Sequence, residues 1–251
     1  MPDDLTEKVR TAILALEGTV IEDLQLPLPG DLRDISKAAA MVSGVVEDRI
    51  PALLNGVRER TWDADGDLHE YEFRRFTIGF PDVLLVERAN PEKVLFQLEA
   101  KSWYILSSDP ITARFLTSQT VMTTGTLIVI VAWLLDGVVS GSPKLLRIHT
   151  DDALRLANVR DKAWEGIGDD HRVVHPVLRD DVPRSLMKTQ VRAEQRKKNG
   201  GWEADSDNFG KIHRLYDEQL EAFEDSVFAL RAAGKTLKEW HAFIKRGAPA
   251  P

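Results

Sequence analysis

The chain has 251 residues, 43% of them hydrophobic, and a net charge of −7 from 33 basic and 40 acidic residues. That length suits one large domain or a core with a small appendage. The absence of cysteine excludes disulfides, thiolate metal sites and cysteine nucleophiles together, and six histidines scattered singly give no zinc-ligand pattern.

The acid excess argues against a broadly basic nucleic-acid-binding surface, although an acidic protein can still carry one basic cleft. The N-terminal Met1-Pro-Asp-Asp is acidic and lacks the apolar core of a leader. The longest apolar run, Thr126 to Leu135, is too short to span a bilayer. A cytoplasmic protein with no membrane partner is therefore expected.

Leu5, Val9, Ile13, Leu16 and Val20 recur at helical spacing and predict a first helix, weakened at Gly18. Leu26 to Gly30 reads as a turn. Asp34 can cap a second helix with the stripe Ile35, Ala38, Val42, Val45 and Val46, expected to end near Pro51. Strands are predicted over His69 to Ile78, Val83 to Val86 and Val94 to Trp103, separated by Gly79-Phe-Pro-Asp82 and by the turn at Asn90. Ser107-Ser-Asp-Pro110 predicts a helix start, with the helix running to about Thr120. Leu127 to Leu135 reads as a buried strand without alternation, with Trp133 in the core. Leu145 to His149 is a further short strand, and Asp151-Asp152 can cap the helix after it.

Beyond Gly166 the pattern loosens. Arg192 to Gly201 reads as a basic loop, Asp207 to Ala233 as one long helix, and Leu237 to Ile244 as a short amphipathic helix. Strands flanked by helices indicate an α/β fold with a mixed central sheet.

The third predicted strand carries the chemistry. Its side chains alternate, so Val94, Phe96, Leu98 and Ala100 form an apolar back while Gln97, Glu99 and Lys101 face the other way. In a hairpin with the preceding strand, Asp82 approaches Glu99. Two adjacent carboxylates resist ionising together, and a hard cation such as Mg²⁺ resolves the conflict. Bound there, it can polarise a phosphate and activate water, while Lys101 offsets developing charge.

Pro81-Asp82, followed seventeen residues later by Glu99-Ala100-Lys101, resembles the PD-(D/E)xK nuclease superfamily, the fold of type II restriction endonucleases. The resemblance covers roughly Asp34 to Leu135. It implies a restriction-endonuclease-like core and Mg²⁺-dependent cleavage of double-stranded DNA, often by a homodimer, with Asp82, Glu99 and Lys101 catalytic. It also implies an acidic ligand on a helix before the sheet, for which Glu47 is the candidate beside Glu17 and Glu59, and a supporting role for Gln97. On this reading residues 1–251 form a single nuclease domain. Its catalytic α/β core is 34–165, and 166–251 is a helical extension that contacts DNA or dimerises.

Candidate phosphate contacts are Ser107, Ser108 and Arg114 at a helix start, and the basic run Lys188, Arg192, Arg196, Lys197 and Lys198. Capping by Ser108 or Asp109 explains the serines equally well, while the basic run is the best candidate DNA-contacting segment even though charge runs are usually solvated loops. Two rival functions stay open: a non-catalytic DNA-binding or defence-complex subunit with this fold, and a nuclease of repair or recombination.

Overall fold

A computed structural model describes residues 2–27, 34–77, 79–107, 111, 113–117, 122, 125–165, 171–174, 192–196, 202–204, 211–215 and 217–246. Helix α1 (Pro2–Leu14) buries Val9, Ala12 and Ile13. It stops short of the predicted Val20, and Gly18 takes a φ of +86°, a left-handed geometry foreign to a helix interior. Leu16 and Ile21 are still buried, so the apolar periodicity outlasts the helix.

Helix α2 (Ile35–Gly56) runs through Pro51 rather than ending there. Pro51 cannot donate to the carbonyl of Glu47, one turn earlier. Burial of Val46, Ile50 and Leu54 on either side of the gap holds the helix together.

Five strands follow: β1 (Tyr71–Arg75), β2 (Val83–Glu87), β3 (Val94–Tyr104), β4 (Leu127–Leu135) and β5 (Pro143–Asp152). They form one mixed sheet in the order β1-β2-β3-β4-β5, with β3 and β4 parallel and the other neighbours antiparallel. All nine residues of β4 are buried, because helices cover both sheet faces. On one face Ser102 donates its hydroxyl to the carbonyl of Ser43 in α2. On the other, Trp103 meets Phe223 and Phe228 edge-on, both in α4 (Glu218–Phe228). The fold is thus α/β with a five-stranded mixed central sheet and flanking helices.

The outer strand β1 is closed by a side chain. Asn55 of α2 accepts from the N–H of Phe73 and donates to its carbonyl, both at 2.9 Å, as a neighbouring strand would. Such pairing blunts an edge otherwise open to another chain.

Helix α3 (Ala153–Glu165) starts where expected, with Asp152 accepting from the N–H of Arg155 at 2.8 Å. The predicted helix from Ser107 does not form over the described residues 111 and 113–117. The cap signal is local, whereas the carbonyls of Phe115 and Thr117 are taken by the buried guanidinium of Arg160, each at 2.8 Å.

The C-terminal third is less helical than expected. Strands β6 (His171–Val174), β7 (Arg192–Arg196) and β8 (Trp202–Ala204) form an antiparallel sheet, so the expected loop at Arg192 begins as its central strand. The expected helix from Asp207 to Ala233 is broken. A 3₁₀ turn spans Ile212–Arg214, α4 begins only after Asp217, and the chain then turns through Ala233 and Gly234, both at positive φ. That turn joins β9 (Arg231–Ala232) to β10 (Lys235–Thr236) ahead of the amphipathic α5 (Leu237–Arg246). Asp217 decides the break: its extended backbone and its side-chain bond from the N–H of Leu220 form an N-cap. Among the described residues, no helix is long and apolar enough to cross a membrane.

Candidate active site

The hairpin of β2 and β3 pairs Val83 with Leu98, which sets Asp82 beside Glu99. Strand β3 continues past that point to Tyr104, so its far half has β4 on one side and α2 on the other. There Glu47 reaches over from α2 and accepts the N–H of Ser102 at 2.8 Å, doing for one residue what a partner strand would.

Asp82 and Glu99 are buried, 2% and 3% exposed. The N–H of Asp82 donates to Glu99 Oε2 at 3.1 Å. The Lys101 ammonium lies between the two carboxylates, 3.0 Å from Asp82 Oδ2 and 2.5 Å from Glu99 Oε1, and also donates to the Ala100 carbonyl at 3.1 Å. The three residues named from the motif therefore form one contiguous cluster.

Burial pushes the Glu99 carboxyl up to about 7; the charge of Lys101 opposes that shift and the charge of Asp82 adds to it. Burial also raises Glu47, with Lys101 pulling the other way. For Lys101, burial favours losing the proton, but Glu99, Asp82 and Glu47 together outweigh it, and its pKa is raised. Lys101 therefore stays an ammonium.

Two members of the cluster carry no motif. Arg75, at the end of β1, lies 3.5 Å from Asp82 Oδ1 and 2.8 Å from Asp48 Oδ1, and donates to the Asp82 main-chain carbonyl at 3.3 Å. A signal for it exists in the sequence: Tyr71, Phe73 and Arg75 alternate on one strand face, and the series ends on a charge. The Ala100 carbonyl has no side-chain signature at all. With Glu47, Asp48, Asp82 and Glu99 set against Arg75 and Lys101, the neighbourhood holds more carboxylates than cations.

The remaining candidates are dispersed. Gln97 accepts from the Thr126 hydroxyl at 3.0 Å, at the foot of β4. Glu47 commits one oxygen to Ser102, and among the described residues no three Asp, Glu, His or Cys side chains close into a metal-binding group. The donors gathered around the Lys101 ammonium are two carboxylates and one main-chain carbonyl. That is the hard-oxygen chemistry that suits Mg²⁺, which takes few protein ligands and keeps waters, so the residues fit such an ion.

Ser107 sits in a bend, its carbonyl 2.9 Å from His241 Nε2 of α5, rather than at a helix N-terminus. Arg114 is exposed and bridges Lys211 through the backbone. Arg192 and Arg196 fall within β7. Ser108, Lys188, Lys197 and Lys198 lie outside the described residues.

Compared with protein-family models and with curated proteins, the chain matches none.

Proposed function

We propose that this chain is a Mg²⁺-dependent endonuclease that hydrolyses phosphodiester bonds of double-stranded DNA, with a PD-(D/E)xK-type site on a restriction-endonuclease-like core. One observation carries the reading. Asp82, Glu99 and Lys101, named from the sequence, come from the entry to β2 and from β3 and meet within hydrogen-bonding distance in a buried, acid-rich cluster.

Asp82 and Glu99 are the groups that hold the metal, with the Ala100 carbonyl beside them. Bound there, Mg²⁺ supplies Lewis-acid polarisation of the scissile phosphate. Lys101 acts as a hydrogen-bond donor and counter-charge to the attacking water or to a phosphate oxygen. In the metal-free cluster the surrounding carboxylates keep it an ammonium. Arg75 restrains Asp82 from the side opposite Lys101, engaging Oδ1 where Lys101 engages Oδ2. Burial of both carboxylates keeps bulk water from competing for them and strengthens each charge interaction.

A type II restriction enzyme working as a homodimer is the preferred form. The test is incubation of the purified protein with long double-stranded DNA, methylated and unmethylated, in Mg²⁺ or EDTA. Discrete Mg²⁺-dependent fragments are expected. A metal-dependent smear would point to a nonspecific or repair-type nuclease, and salt-sensitive binding without cleavage to a non-catalytic subunit.

A further inference from the structure

The seat that the proposed function gives to a metal ion is already held by a cation of the chain itself. Lys101 Nζ contacts Glu99 Oε1 at 2.5 Å, Asp82 Oδ2 at 3.0 Å and the Ala100 carbonyl at 3.1 Å. An ammonium has three N–H donors, and these three oxygens use all of them. The same oxygens are the hard donors a divalent cation would take. A dication and an ammonium cannot share them in a buried site without strong repulsion.

We propose that Lys101 is the resident cation of this site, and that a divalent ion binds by displacing its ammonium from Asp82 and Glu99; the proposal rests on the metal-dependent function. The exchange swaps one cation for another: Lys101 leaves as an ammonium, still tethered to β3. Its side chain keeps 15% of its surface exposed, which leaves it a way out. Arg75 is not the displaced group. It sits on Asp82 Oδ1 and on Asp48, away from the oxygen that Lys101 occupies.

The exchange has two consequences. Without metal, the ammonium bridges the two adjacent buried carboxyl groups. When metal enters, the same event frees Lys101 to meet substrate, so the donor is presented only in a loaded site.

The test uses DNA-free protein, with Ca²⁺ as the probe. Calorimetric titration should show Lys101→Met binding Ca²⁺ at least about tenfold more tightly than the wild type, the effect of removing a like charge a few ångströms away. In the wild type, reductive methylation read by mass spectrometry should find Lys101 shielded in EDTA and several-fold more reactive in saturating Ca²⁺. This second measurement needs no variant and decides the question even if Lys101→Met fails to fold.

Equal Ca²⁺ affinity in the two proteins would overturn the exchange while leaving the metal site standing. Tighter binding by the variant with wild-type Lys101 still shielded in Ca²⁺ would also overturn it, in favour of repulsion through space. No binding by either protein would overturn both the exchange and the metal-dependent reading beneath it.

Discussion

The main-chain N–H of Asp82 donates to the side chain of Glu99 at 3.1 Å, so the two acids are joined by the backbone just ahead of β2 and a carboxylate of β3. The bond fixes one oxygen of Glu99 and leaves the other to Lys101. It also makes the approach of the carboxylates a property of the β2–β3 register rather than of two free rotamers.

Removing Lys101 takes away the counter-charge and a side chain only 15% exposed, at one point of a sheet otherwise held by its register. Lys101→Ala is expected to lower Mg²⁺-dependent cleavage by at least about a hundredfold, with an unchanged circular-dichroism spectrum and DNA binding largely retained. Undiminished cleavage would remove Lys101 from the catalytic assignment.

Glu99 gives a stability prediction in EDTA. Its folded pKa, about 7, stands above the unfolded value of ~4.3. Between those values the folded protein keeps a proton that the unfolded chain has lost, so stability falls as pH rises through this window. Glu99→Gln should lack that fall and gain on the wild type between pH 5 and pH 8, as read from urea midpoints.

Glu47 satisfies the Ser102 N–H on a stretch of β3 that, among the described residues, has no partner strand on that side. Glu47→Ala should cost about 1–3 kcal/mol by orphaning that donor. Glu47→Gln keeps an acceptor and should cost much less. If Glu47→Gln nevertheless loses cleavage at full stability, the carboxylate charge contributes to function.

Asn55 performs the same service for β1 with both ends of its amide. Asn55→Ala should lower the unfolding free energy by about 1–3 kcal/mol and raise the tendency to associate, because the edge is no longer capped. Urea titration and light scattering read the two effects separately.

Arg155 joins β5 to the start of α4, with Nε at 2.7 Å from Asp151 Oδ1 and Nη1 at 2.8 Å from Asp217 Oδ2. Burial raises the Asp151 pKa, but the bonds from Arg155 outweigh it, with the His149 ring 3.8 Å away adding to the pull, and the carboxyl is held at about 2. A depressed carboxylate contributes stability that is complete above the unfolded pKa of ~3.9 and is lost as pH falls toward 2. Arg155→Met should be less stable at pH 7, and its margin below the wild type should shrink as pH falls from 4 to 2. A constant margin would show that Asp151 gains nothing from the pair.

Local pattern determined much of this protein. Alternation along Val94 to Trp103 and the turn at Asn90 predict a hairpin, and the spacing of Asp82, Glu99 and Lys101 names a cluster that then assembles. The unbroken apolar run at β4 gives a strand covered on both faces. These features are legible because each depends on side-chain periodicity or on a near neighbour in the chain.

Tertiary structure decided the rest. Pro51 stays inside α2 because burial on both sides outweighs one missing hydrogen bond. The cap signal at Ser107 yields no helix over the described residues because Arg160, more than forty residues away, takes the carbonyls of Phe115 and Thr117. Arg75 joins the site only through strand register, which brings it to Asp82. In each case a long-range contact competes with a local preference of similar size, and the local pattern does not record which contact is made.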